Sequence, residues 1–228
     1  MRRWSAAVCA VLAGSLAGPT PAAAQAGHLS GRITIQEKNN ASTTDLGDAV
    51  VYLEGQGVSL APARFEITIS DKTFSPHVLV VPVGTTVAFP NHDPFDHNVF
   101  SVSDSNSFDL GLYGRGEGKA TVFRYPGLVR VFCNVHPRMV ALVQVMATHH
   151  FAQAGADGSF TISGVEPGSY KLHVWHERAS QEFVRDVVVG PNGVADIQVA
   201  LNARGFRWQP HKNKFGKDYP TNAGRERY

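Results

Sequence analysis

An all-β chain made of two sandwiches is what this sequence predicts, on three observations. Short runs rich in Val, Ile, Phe and Thr recur, and Gly, Pro, Asn and Asp break them at strand-and-turn spacing. No stretch sustains an apolar pattern of period 3.6, so helix content should be small. Setting aside a leader, roughly 200 residues remain, enough for one large or two small domains.

The leader is residues 1–24. Arg2 and Arg3 precede an apolar stretch from Ala6 to Leu16, and Ala22-Ala23-Ala24 stands before Gln25. That is the order of a cleavable signal peptide, and its apolar part is too short and Gly-rich for a membrane span. A periplasmic or secreted protein that does not span the membrane is expected. Of 21 Lys+Arg against 19 Asp+Glu, the leader takes two arginines and no acids, so the mature chain is balanced and nucleic acid is not an expected partner. Cys9 also leaves with the leader. Cys133 stays alone, no intramolecular disulfide is possible, and an unpaired thiol in an oxidising compartment calls for an explanation such as metal ligation.

Seven runs in the middle of the chain read as strands: 65–69, 77–83, 86–89, 98–102, 121–125, 128–132 and 140–145. After Met146 the character changes. Asp157-Gly158-Ser159-Phe160 and Pro167-Gly168-Ser169-Tyr170 are turns feeding strands, and 171–177, 183–189 and 195–201 supply further strands. Four strands make a thin sandwich, and 28–35 with 49–53 can complete it. The expected organisation is therefore a discontinuous sandwich of 28–58 plus 148–203, with residues 60–147 inserted as a second domain. Nearby termini make such insertions tolerable. The alternative is two sequential domains.

The chemistry concentrates in Phe132-Cys133-Asn134-Val135-His136-Pro137-Arg138-Met139, with His97 upstream. One thiolate, two imidazoles and a thioether are the donors of a trigonal His2Cys copper site with a weak axial Met, an electron-transfer site. Zinc is disfavoured, because its structural sites use more thiolates or histidines and rarely a thioether. A binuclear copper site fails for want of a second Cys. Separately, Cys133 reads as a small buried hydrophobe, His97 as a turn residue and Met139 as core; their joint order favours a metal.

These residues resemble the cupredoxins, the small blue copper proteins. Phe74-Ser75-Pro76 through Val83-Gly84-Thr85 to Asn91 is similar to the segment leading to that family's first histidine ligand, and His97-Asn98 matches the ligand. The Cys-x2-His-x2-Met spacing resembles amicyanin more than plastocyanin, and the joined arrangement resembles methylamine-utilisation proteins. Gly31-Arg32-Ile33-Thr34 and the segment from Leu46 to Leu53 resemble the opening of a carboxypeptidase regulatory-like, transthyretin-like domain. The resemblance implies a Greek-key sandwich and one type 1 copper ion on His97, Cys133, His136 and Met139. It also implies an Asn98 N–H aimed at the Cys133 sulfur and electron exit through a solvent-edge His136, with Arg138 beside it where a partner docks.

The implied role is a shuttle of single electrons between protein redox partners, with no bond made or broken and hence no enzyme. A copper-delivery protein is a rival, although such proteins favour several Met or His ligands. A carbohydrate- or ligand-binding module using a Trp175 and Tyr170 face is another. His92, His149, His150, His173 and His176 read as ordinary loop or strand histidines rather than a second metal site. The tail, 204–228, is turn-rich and basic: Arg207, Lys212, Lys214, Lys217, Arg225 and Arg227 face only Asp218 and Glu226 from position 205 on. It suits docking to an acidic partner, or solubilising the chain while packing through Phe206, Trp208 and Phe215.

Overall fold

The computed structural model describes residues 27–54 and 61–220. The leader, residues 55–60 with the boundary expected there, and Arg225, Glu226 and Arg227 lie outside the described residues. The described chain is all-β, and its helical pieces are single 3-10 turns. No helix among them is long and apolar enough to cross a membrane.

Strands β1 (Gly27–Gln36) and β2 (Val50–Glu54) come first. Ten follow: β3 (Arg64–Glu66), β4 (Thr68–Ser70), β5 (Thr73–Ser75), β6 (Val78–Pro82), β7 (Thr85–Asn91), β8 (His97–Ser101), β9 (Phe108–Tyr113), β10 (Gly116–Phe123), β11 (Gly127–Cys133) and β12 (Val140–Met146). Five close the series: β13 (Phe151–Gln153), β14 (Ser159–Val165), β15 (Gly168–Trp175), β16 (Phe183–Val189) and β17 (Val194–Asn202).

The first two strands pair with the last five. One sheet runs β14-β1-β17, with β1 parallel to β17, and a second runs β13-β2-β15-β16. Alternating residues such as Leu29, Ile33, Val51, Leu53, Leu172 and Val174 meet in one buried core between them. At Gly31 the strands approach so closely that a Cβ would stand 2.1 Å from the Ile197 carbonyl oxygen, so only glycine fits.

Residues 64–146 form two other sheets around a separate core. One runs β10-β7-β4-β5, with β3 also on β7; the other runs β6-β12-β11-β8-β9. Phe74, Phe89, Phe123 and Val131 fill the core together with Cys133 and Met139. The sequence pattern misses β5, β9 and β13, and it starts β10 late. β9 is mostly half-buried and does alternate Phe108, Leu110 and Leu112, whereas the start of β10 is glycine-rich and exposed, so no apolar alternation marks it. Gly118 explains the irregular register there. Its φ is +71°, a Cβ would lie 1.8 Å from the Phe89 carbonyl oxygen, and the pairing with β7 shifts between Gly116 and Lys119.

The two sandwiches touch through a small apolar cluster in which Val50, Tyr52 and Trp175 meet Val78, Val80 and Leu142. Beside it His77 Nε2 lies 2.7 Å from Glu177 Oε2, and Nδ1 lies 3.2 Å from the Val140 carbonyl oxygen. Both ring nitrogens face acceptors, which favours the protonated ring. The Glu177 hydrogen bond raises the His77 pKa above 6.5 against the opposing effect of burial. Stabilisation from this pair is therefore fully present below about pH 6.5 and fades as pH rises through the higher folded value. The side chains are 38% and 33% exposed, so screening keeps the pair below about 1 kcal/mol. Urea unfolding should show the wild type losing up to about 1 kcal/mol more than His77→Gln between about pH 6 and 8.5. Identical pH slopes would contradict the assignment.

Candidate metal centre

β8 and β11 are neighbours in one sheet, with Cys133 opposite Val99 and Phe132 opposite Phe100. His97, two residues before Val99, shares its face, so the antiparallel register sets the imidazole beside the thiol across 36 residues of chain. A tight loop after Cys133 does the rest. The Met139 N–H donates to the His136 carbonyl at 3.2 Å, the Cys133 N–H to the Met139 carbonyl at 3.3 Å, and the Asn134 N–H to the Asn98 carbonyl at 3.1 Å. His136 Nδ1 and His97 Nδ1 both end 3.6 Å from Cys133 Sγ. Cys133 and His97 are fully buried, Met139 lies in the same core, and His136 is only 7% exposed.

The far side of His97 is held by a residue that the sequence pattern did not single out. His97 Nε2 lies 2.8 Å from Asp93 Oδ2, and Asp93 accepts the N–H groups of Asp71 and Lys72 at 2.7 and 3.0 Å. The Asp93 N–H donates to Asn91 Oδ1 at 2.9 Å, closing the turn. Only its place four residues before His97 in an Asp- and Pro-rich loop hints at this. Burial alone raises the Asp93 pKa, but the Lys72 N–H, the His97 ring and the Asp71 N–H outweigh it, and the group remains a carboxylate. Burial pushes the His97 pKa down, so the ring is neutral and Nδ1 keeps its lone pair.

Burial likewise pushes the Cys133 thiol up, opposed by the backbone N–H groups of Val135, Asn98 and His136. The Asn98 contact is the one the resemblance implied. A raised thiol, a neutral His97 ring and N–H groups waiting on sulfur fit a cation that displaces the thiol proton. Three coplanar donors, each about 2.1 Å from a shared cation, would stand roughly 3.6 Å from one another. Both sulfur-to-nitrogen separations agree with that, and the three donor atoms all lie within 4.8 Å of one another.

The tail lies as a strap across the loop after Cys133, packing through Trp208 as expected and through residues that the sequence did not single out. Tyr219 O–H donates to the Cys133 carbonyl at 2.8 Å, and the Lys214 N–H donates to Asn134 Oδ1 at 2.9 Å. His211 stacks on Phe132, ring centroids 4.3 Å apart, and Trp208 lies under the Arg138 guanidinium at 5.3 Å. Lys214 Nζ pairs with Asp109 at 2.6 Å, while Asn98 donates to the same carboxylate. Burial works to raise the Asp109 carboxyl, but Lys214, Asn98 and the Gly111 N–H prevail and hold it at about 2. A solvent-edge His136 is thus corrected: the imidazole is buried, and Val135 and Arg138 form the exposed rim of the loop.

The remaining histidines are scattered. His92 is exposed, His173 stacks on Tyr52 with centroids 4.7 Å apart, and His176 Nε2 faces the Asp45 carbonyl at 3.1 Å. His149 and His150 instead come together beside Glu166.

Several solved structures are similar to part of the chain. A purple cupredoxin from Nitrosopumilus maritimus is 30% identical, covering 36% of this chain and 98% of its own, with a TM-score of 0.33. The Cu-containing nitrite reductase of Thermus scotoductus is 27% identical over 42% of this chain and 25% of its own, TM-score 0.35. An amicyanin variant, reduced at pH 4, is 20% identical over 42% and 98%, TM-score 0.35. The family profile of polysaccharide lyase family 4, domain II, matches residues 144–196. No curated protein sequence matches the chain.

The strap makes a prediction that needs no metal. Ending the chain after Ala203 removes the Tyr219 hydrogen bond, worth about 1 kcal/mol, and the His211 stack. Cys133 in the metal-free protein should then react with a disulfide reagent roughly tenfold faster. Equal rates would show that the tail does not close the loop.

Proposed function

We propose that this is an exported, periplasmic type 1 copper protein that passes single electrons between larger redox proteins. The observation that carries the reading is the convergence of two imidazole Nδ1 atoms on one buried thiol at equal distances of 3.6 Å. His97, Cys133, His136 and Met139 would hold the ion. Bound there, copper would supply one-electron exchange between Cu(I) and Cu(II), with no substrate bond made or broken.

The chain's own residues supply rigidity and tuning. His97 rides on a sheet strand and is pinned by Asp93, Cys133 ends the neighbouring strand, and the strap holds the Cys133 carbonyl, so the donors sit in place before any ion arrives. The N–H groups on sulfur withdraw charge from it, and the Asp93 carboxylate adds charge through His97. With His136 buried, partners would meet the rim of Val135, Arg138 and Trp208 rather than an imidazole edge.

The delivery reading wants more soft donors, and beyond the leader only Met139 and Met146 remain. A ligand-binding face on Trp175 and Tyr170 has little support: Trp175 packs in the contact between the sandwiches, and the Tyr170 hydroxyl donates to the Glu166 carbonyl at 2.9 Å.

Loading the chain from Gln25 onward with Cu(II) should give an intense visible charge-transfer band and narrow copper hyperfine splitting, both lost in Cys133→Ser. A pale, ordinary copper adduct would sink the proposal. Asp93→Asn should weaken Cu(II) binding roughly 10- to 100-fold and raise the reduction potential, since it removes a negative charge next to a ligand. An unchanged potential would mean that Asp93 only shapes the loop.

A further inference from the structure

The linker from β12 to β13 carries the chain from one sandwich to the other, and it holds two histidines in sequence. Neighbouring residues of an extended strand point to opposite faces, yet the His149 and His150 rings lie only 3.8 Å apart, centroid to centroid. A bend brings them together: the His150 N–H donates to Thr148 Oγ1 at 3.1 Å, and the His150 carbonyl accepts the Leu53 N–H of β2 at 2.9 Å. Glu166, in the turn between β14 and β15, reaches the same point, its Oε2 standing 3.2 Å from His150 Nε2. The Tyr170 hydroxyl braces that turn through the Glu166 carbonyl.

His150 is 5% exposed, and the Nδ1 atoms of both rings are buried without a hydrogen-bond partner. Buried polar atoms are costly when unpartnered. Each residue offers one donor atom within 4.8 Å of the others, and the Glu166 side chain, 64% exposed, leaves a way in from solvent. Two nitrogens and a carboxylate oxygen, with no sulfur, suit a divalent first-row ion and not Cu(I).

We propose that His149, His150 and Glu166 form a second metal site, for a divalent cation such as Zn2+, which fastens the linker between the sandwiches to the β14–β15 turn. The site is independent of the copper reading. It contains no group of the His97 and Cys133 cluster, and a bound ion stabilises the folded chain by mass action.

The test is zinc titration of the full chain from Gln25 in a Cys133→Ser background, read by calorimetry, by metal content after gel filtration and by melting temperature. One Zn2+ per chain and a raised melting temperature are expected. Adding His149→Ala should abolish both, and adding Glu166→Gln should weaken affinity roughly tenfold. Should the His149 variant fail to fold, the exposed Glu166→Gln variant carries the comparison. No retained zinc would overturn the proposal. So would zinc that survives both variants but is lost when His97→Ala is added, which would place the ion in the buried cluster.

Discussion

Everything at the candidate metal centre depends on the pairing of β8 with β11. That ladder places Cys133 opposite Val99 and thereby sets His97 against the sulfur. A slip of one residue would turn His97 to the other face of the sheet and leave the thiol with the loop alone. The ladder is embedded in a five-stranded sheet whose inner residues are fully buried, so such a slip would cost much of the core. The donor geometry is thus a consequence of hydrophobic packing, and Asp93 and the Tyr219 contact refine it from outside.

The sandwich made by the two ends of the chain bears on the site in an unexpected way. β17 leads directly into the segment that lies across the metal loop, so the far end of one sandwich closes the centre of the other. The His77–Glu177 pair and the cluster around Val50 and Leu142 hold the bodies together on another side. Lys214, which would read as free positive charge for a docking partner, is largely consumed by Asp109. The surface open to a partner is correspondingly narrower than the sequence suggests, and less basic.

The all-β class and most strands were legible from alternation and turn residues, helped by the runs of buried apolar residues in β6, β7, β11 and β12. The glycine-rich start of β10 was not legible, since its residues are exposed and its shape comes from backbone clearance at Gly118; β9 was missed although Phe108, Leu110 and Leu112 alternate along it. His97, Cys133, His136 and Met139 could be chosen from residue type and spacing, and the structure brings the first three to one point with Met139 in the same core. Asp93 and Tyr219 carry no comparable local signal; each acts through a contact that only the folded chain makes. The pairing of His149 and His150 with Glu166 was hidden for the same reason, because strand periodicity assigns neighbouring histidines to opposite faces and the Thr148 bend defeats it.

The central claim is that the fold, and not the ion, sets the donor positions. Crystal structures of the chain from Gln25, metal-free and loaded with one copper per chain, test it most directly. The account predicts a single ion bound by His97 Nδ1, Cys133 Sγ and His136 Nδ1, with those atoms moving less than about 0.5 Å between the two forms. An ion bound elsewhere, or a loop from Asn134 to Met139 that refolds to receive it, would contradict the account.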